Sequence, residues 1–196
     1  YTVKQEEKTP GYIPVGSAIT SYARNFTIRA AQKNYHGVGR HGFIYADTDS
    51  IHCDLKPEQI EGIKVHNTAF CCWKLEAKWD KAVFVRQKTY IEHVVEVDLE
   101  QNGNEWKGEE VEPYYNIKCA GLPEKSKDYF ALSLDTEKEI DDKENEAVKQ
   151  FLFDKKGNRI HRTLADFKVG LEIPGKLVPK RIPGGILLHE TTYKMR

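Results

Sequence analysis

The sequence predicts an α+β fold, and three observations carry that expectation. Apolar residues recur at helical spacing in one long segment, from Pro14 to Tyr35. Strand-like runs then cluster between Phe70 and Asp98 and again at NIKCAGLP, without the strict strand–helix alternation of a doubly wound sheet. The chain closes on PGKLVPKRIPGGILLHETTYKMR, where prolines and cations flank a GILL run and read as a basic β hairpin. With 196 residues, 39% of them hydrophobic, the chain can bury a core as one large domain or two small ones.

The elements follow in order. Residues 1–10 are polar and read as frayed or extended. Val15, Ala18, Ile19, Tyr22, Ala23, Phe26 and Ala30 then mark one face of an amphipathic helix, with Pro14 suited to its first turn and Gly37 and Gly39 ending it. GFIYADTDSIHCD reads as a short apolar strand, two aspartates one residue apart, and a continuing strand; KPEQIEGI reads as a short helix. Trp73, Leu75 and Ala77 alternate with Lys74, Glu76 and Lys78 as in a half-buried strand. WDK is expected to turn the chain into the strongly β run AVFVRQKTYIEHVVEV, and QNGNEWKGEE to be a turn-rich connection. The charged residues 135–146 read as a solvated helix that runs on into AVKQFLF. No repeat period is present.

Composition removes several classes. Aromatics make up 11%, too many for a disordered tail. Thirty basic and thirty acidic residues cancel, so any nucleic-acid contact must come from local clusters. No apolar run is long enough for a membrane span, and no segment reads as a signal peptide. The first residue is Tyr1 rather than Met, so the chain is expected to be a piece of a longer protein. Cys53, Cys71, Cys72 and Cys119 show no CxxC spacing, which argues against zinc or a disulfide framework and for reduced thiols in a cytoplasmic protein.

Phe43-Ile44-Tyr45-Ala46-Asp47-Thr48-Asp49-Ser50 is the sharpest local feature. On extended backbone Asp47 and Asp49 would share one face, with Thr48 on the other. Two such carboxylates repel unless a cation sits between them, and a hard ion such as Mg2+ suits carboxylate and phosphate oxygens. A solvated turn rich in Asp and Ser explains the same residues, and on these alone both readings stay open. An EF-hand starting at Asp47 would place Glu58 twelfth, but Ile51 and His52 stand where an oxygen ligand and glycine are needed. A phosphatase of the haloacid-dehalogenase type would open DxDx(T/V), where Ile51 stands in place of Thr or Val, and would need α/β alternation.

Beyond the pair, YADTDS resembles the YxDTDS motif of family B DNA polymerases. Lys88-Thr89-Tyr90 resembles their KxY motif, and Thr20-Ser21-Tyr22-Ala23-Arg24 the Tx2(G/A)R motif of the protein-primed branch. KCAG at 118–121, FKVG at 167–170 and IPGG at 182–185 are similar to the palm-to-thumb junction and thumb of that branch. The resemblance runs from about Gly11 to the C-terminus. It implies the C-terminal part of a protein-primed, phage-type polymerase: an antiparallel palm sheet backed by helices over 1–121, then a β-rich thumb over 122–196.

By the resemblance, Asp49 is the principal ligand for Mg2+ (with Mn2+ as a substitute), and Asp47 is the supporting carboxylate of a two-metal nucleotidyl transfer. Tyr45 would lie near the nucleotide and primer end, Lys88 would reach the primer terminus, and Tyr90 would lie against its minor-groove side. Thr20 and Arg24, four apart on one helix face, would meet a phosphate backbone. Lys176, Lys180, Arg181 and Lys194, with Lys168, would make the thumb's basic surface for duplex DNA. The implied partners are primer-template DNA and dNTPs, and a terminal protein through regions outside this chain. The implied location is the cytoplasm of a bacterial or phage-infected cell.

The family's DxxSLYP and KxxxSxYG motifs do not occur in the sequence, so Asp47 and Asp49 are expected to hold half a site, and this chain alone to be inactive or nearly so. An open palm edge would also invite pairing into a dimer. The rival readings are a non-catalytic DNA-binding module or prophage relic, and the phosphatase above.

Overall fold

Pro14 sits in the first turn of helix α1 (Ile13–Asn34), where its missing N–H costs no hydrogen bond. The helix has the predicted position, but its apolar stripe finds little to cover it. Ile13, Val15, Ile19, Tyr22 and Phe26 are exposed, and only Thr27, Ala30 and Asn34 are buried. Asn34 secures the end. Its amide donates to Ala30 O at 2.9 Å and Glu61 O at 3.0 Å, while its Oδ1 accepts from the Glu61 N–H at 2.8 Å. All of this comes from a computed structural model that describes residues 11–103, 105–140 and 145–196. The reading of residues 1–10, and residues 141–144 of the charged stretch, lie outside the described residues.

After α1 the antiparallel hairpin β1 (Phe43–Asp47) and β2 (Ser50–Cys53) follows directly. KPEQIEGI forms only one 3-10 turn, Pro57–Gln59, rather than a helix. The expected strand at Trp73 is also shorter than its alternation suggests. Trp73 makes one isolated bridge to Val65, and β3 begins at Ala77 (Ala77–Arg86). WDK does not turn the chain. It lies inside β3, where the register shifts around Trp79 absorb the irregularity, and the reversal comes at Gln87 and Lys88. β4 (Thr89–Asn102) and β5 (Glu105–Cys119) complete a three-stranded sheet in the order β3-β4-β5, so most of the expected QNGNEWKGEE connection is strand.

Helix α2 (Glu124–Leu134) has no counterpart among the predicted elements, whereas α3 (Glu146–Leu152) matches AVKQFLF, with Asn145 Oδ1 capping the Ala147 and Val148 N–H groups. The solvated helix expected upstream is corrected: residues 135–140 form turns, and Ile140 is drawn into the core rather than left on a solvated face. A 3-10 turn at Leu164–Asp166 leads to the terminal antiparallel hairpin, β6 (Glu172–Ile182) and β7 (Gly185–Lys194). The fold is α+β with antiparallel sheets and few helices, as predicted.

The chain folds as two compact units. One runs from α1 to Leu75 and includes Glu100–Lys107; the other comprises Glu76–Leu99 and Gly108–Arg196. The second holds the main core, in which Ile91, Phe130, Leu152, Phe167, Ile173 and Met195 are all but sealed from solvent. Gly175, at φ +102°, lets β6 approach α2 closely enough for Ser126 Oγ to donate to Pro174 O at 2.6 Å. Among the described residues no helix is long and apolar enough to cross a membrane.

Candidate functional site

In the first unit the aspartate pair sits at the tip of the β1–β2 hairpin. Asp47 pairs with Ser50, leaving Thr48 and Asp49 as a two-residue loop. The expectation that both carboxylates share the face of one extended strand is therefore corrected. Thr48 takes φ +49°, and the Asp49 N–H donates back to Asp47 O at 2.6 Å, closing a tight turn centred on Thr48. Around it, Ser50 Oγ donates to Asp47 O at 3.1 Å, Thr48 Oγ1 to Asp47 Oδ1 at 3.1 Å, and Thr27 Oγ1 reaches Thr48 O at 3.1 Å. Asp47 is half-buried and Asp49 exposed. Tyr45 is half-buried opposite His52, their rings 5.4 Å apart. The hairpin runs strand–turn–strand, without the α/β alternation that the phosphatase reading required.

Asp54 closes the other end of the hairpin. Its Oδ1 accepts from the Gly42 N–H at 2.5 Å, its Oδ2 meets His41 Nδ1 at 2.8 Å, and its own N–H donates to Gly42 O at 3.1 Å. Burial pushes the Asp54 carboxyl up, but the Gly42 N–H and the His41 ring together outweigh it and hold its pKa below the usual aspartate value. Neighbouring Cys53 is pushed up to about 11 by burial and the Asp54 charge, so it stays a thiol and is no ready metal ligand.

Among the described residues no group of three or more His, Cys, Asp or Glu converges. The two aspartates still fit a hard divalent cation. Mg2+ is commonly held by one or two carboxylates and takes the rest of its shell from water and substrate phosphates, a demand that one exposed and one half-buried aspartate can meet.

The second unit carries the Lys88 and Tyr90 candidates. Exposed Lys88, at φ +56°, occupies the β3–β4 turn, and half-buried Tyr90 stacks on Phe84 at 5.3 Å. Lys88 O accepts from the Ala120 N–H at 3.2 Å, Tyr193 OH donates to Ala120 O at 3.1 Å, and Cys119 Sγ lies 3.4 Å from that hydroxyl. Buried Thr89 reaches the same sulfur at 3.9 Å. One network, anchored on buried Thr89, Cys119 and Tyr193, thus braces the Lys88 turn against the 119–121 segment and β7.

The remaining candidates divide by what already engages them. Thr20 and Arg24 both lie exposed on α1, and the Thr20 hydroxyl donates to its own helix at Gly16 O and Ser17 O, 3.2 and 3.0 Å away. On the terminal hairpin Lys176 places its ammonium 5.6 Å over the Tyr193 ring, and Lys194 pairs with Glu172 at 2.9 Å. Lys180 and Arg181 project from the exposed outer half of β6. The Asp47–Asp49 turn and the Lys88 turn belong to different compact units. Thr27, Asp54 and Tyr193 escaped the sequence reading. Their one advance signal is a polar group set within an apolar face or beside a strand end.

No family model matches the chain. It is 30% identical over 196 residues to the DNA polymerase of Bacillus phage phi29, covering 98% of this chain and 28% of that one. It is 28% identical over 192 residues to the DNA polymerase of Streptococcus phage Cp-1, covering 98% and 25%. The chain matches the phage DNA polymerases of the phi29 type. The crystal structure of phi29 DNA polymerase in its orthorhombic form superposes with a TM-score of 0.63 at 28% identity, over 99% of this chain and 28% of that one. Phi29 DNA polymerase complexed with primer-template DNA superposes at 0.62, also at 28% identity and over the same shares of the two chains. This chain thus spans about a quarter of the length of the phi29-type polymerases it matches.

Proposed function

We propose that this chain contributes the C-terminal palm (1–121) and thumb (122–196) of a phi29-type, DNA-directed DNA polymerase acting inside a bacterial or phage-infected cell. The observation that carries the reading is the Asp47–Thr48–Asp49 turn, a pair of hairpin-tip carboxylates in a chain that follows phi29-type polymerases over 98% of its length. Asp47 and Asp49 would hold Mg2+, with Mn2+ as a substitute. When bound, the cation would supply Lewis-acid stabilisation for nucleotidyl transfer, in which the primer 3′-hydroxyl attacks the α-phosphorus of an incoming dNTP and pyrophosphate leaves.

The chain's own residues then act by charge and shape. Asp49, exposed at the tip, faces the reacting groups, while Asp47 is oriented by the Thr48 hydroxyl. Tyr45 would flank the nucleotide and primer end. Lys88 and Tyr90 would hold the primer duplex without reading its sequence, the ammonium by charge and the ring by shape. Thr20 and Arg24 would meet the backbone, and Lys176, Lys180, Arg181 and Lys194 would track the duplex. Among the described residues no third acidic or imidazole group joins the pair, so the two carboxylates make half a site, and the chain alone should be inactive or nearly so.

Fluorescence anisotropy of a primed duplex, titrated against the chain at several salt concentrations, tests the reading. Binding that weakens steeply with salt and falls for Lys88→Ala is expected. A folded preparation that does not bind at low salt would refute it.

A further inference from the structure

Buried Thr27, in the middle of α1, has one hydroxyl proton and two carbonyl oxygens that share it. Oγ1 lies 3.1 Å from Ala23 O, the usual back-bond of a helical threonine, and equally 3.1 Å from Thr48 O, twenty-one residues away. Thr20, the other threonine of α1, contacts its own helix alone. The acceptor matters because Thr48 is a β-branched residue at φ +49°, a conformation such residues rarely adopt, and one that persists only where surrounding contacts hold it. Its carbonyl begins the peptide that leads into Asp49, and its hydroxyl donates to Asp47 Oδ1 at 3.1 Å. Whatever fixes the Thr48 carbonyl therefore fixes the direction of both aspartates.

We infer that Thr27 is a positioning residue for the divalent cation: its hydroxyl pins the left-handed Thr48 peptide and so holds Asp47 and Asp49 in their cation-binding arrangement. The inference rests on the proposed metal role of those two aspartates. Thr27 touches no reacting group itself. It converts a turn with an unfavourable backbone into one fixed geometry, and removes the cost of ordering the turn at the moment of binding.

The test uses Mn2+ alone as the probe, titrated into the full chain. Affinity is read from paramagnetic broadening of the residue 47–50 amide signals. Thr27→Val, nearly isosteric but without the hydroxyl, should weaken Mn2+ about fivefold, the equivalent of one lost hydrogen bond, while Thr27→Ser should keep the parental affinity. Glycine adopts positive φ freely, so in a Thr48→Gly background Thr27→Val should cost little. A role limited to helix integrity would cost the same in both backgrounds.

Equal losses in the two backgrounds, or no loss in either, would overturn the inference. If Thr27→Val alone does not fold, the double variant with Thr48→Gly is expected to fold and bind, and its failure to fold would equally overturn it. Asp49→Asn separates the two levels. Broadening that survives Asp49→Asn refutes the metal reading and the inference together, whereas broadening lost in Asp49→Asn but intact in Thr27→Val refutes the inference alone.

Discussion

Removing one oxygen atom, in Tyr193→Phe, examines the network that braces the Lys88 turn. The ring is 8% exposed and keeps its packing, so no cavity of consequence opens. What is lost is the donation to Ala120 O at 3.1 Å and the contact with Cys119 Sγ at 3.4 Å. A neutral hydrogen bond contributes about 1 kcal/mol net, and the carbonyl of exposed Ala120 can turn to water once its donor is gone, so the variant should lose ~0.5–1.5 kcal/mol. Native-state hydrogen exchange read at Ile91, Phe130 and Ile173, in the same core, measures it locally. Pairing the change with Cys119→Ala should give a coupling of about 0.5 kcal/mol, since both variants remove the same contact.

The pH dependence has a definite sign. The Cys119 hydrogen bond, then burial, hold the Tyr193 phenol above the usual tyrosine range. Its contribution is complete below the unfolded value near pH 10 and is lost as pH rises through the folded value. The gap between parent and Tyr193→Phe should therefore close in strong alkali. A loss below ~0.3 kcal/mol, or strict additivity with Cys119→Ala, would refute the network.

Three further outcomes are expected. Lys180→Ala should lower the salt slope of duplex binding by about 0.9, the loss of one phosphate contact, while Lys194→Ala should lower it by clearly less because Glu172 already neutralises Lys194; equal slopes by anisotropy would contradict this. Gly175→Ala should destabilise the second unit by ~1–3 kcal/mol in the same exchange assay, because φ is +102° and the new Cβ would stand 3.0 Å from Ser126 Oγ and 3.3 Å from the Tyr129 ring. Asp54, with its lowered pKa, stabilises the β1–β2 hairpin above the unfolded value near pH 4, and this is lost as pH falls through the folded value. Acid exchange at Gly42 and Asp54 should steepen accordingly, and Asp54→Asn should remove that step.

How much could be read in advance depended on whether the relevant contact was local. The period of Val15, Ile19, Tyr22 and Phe26 gave helix α1, because a helical repeat is a property of the segment itself. The same period could not reveal that this face stays exposed, since burial depends on what lies opposite. Helix α2 went unread because Ser126 and Ser133, two of its five buried positions, are polar and break the apolar pattern. The Ser126 hydroxyl is satisfied by Pro174 O, a contact that exists only in the folded chain, and that of Ser133 by Phe130 O one turn back in the same helix. WDK misled for the opposite reason: Asp80 reads as a turn residue, yet it stays in β3 by pairing with His93 at 2.6 Å across the strands. Among the site residues, the order of YADTDS, KTY and TSYAR was legible, whereas Thr27, Asp54 and Tyr193 gain their meaning from partners 21, 12 and 73 residues distant.

The backbone gives a criterion for choosing among candidate residues that side-chain type alone does not. Four residues other than glycine take positive φ among those described: Thr48, Cys71, Lys88 and Asp98. Two of the four stand inside the motifs singled out from sequence, between the aspartates and at the head of KTY. A turn that needed only to reverse the chain would be served at lower cost by glycine or asparagine. Threonine at 48 brings a hydroxyl to Asp47 Oδ1, and lysine at 88 brings a cation to the very tip of the β3–β4 turn; neither function survives replacement by glycine. In each case a second element supplies a hydrogen bond to the carbonyl of the strained residue, Thr27 to Thr48 O and the Ala120 N–H to Lys88 O. The two turns thus share one device, an unfavourable backbone held by a donor from outside the hairpin, and a side chain presented where a relaxed turn would carry none.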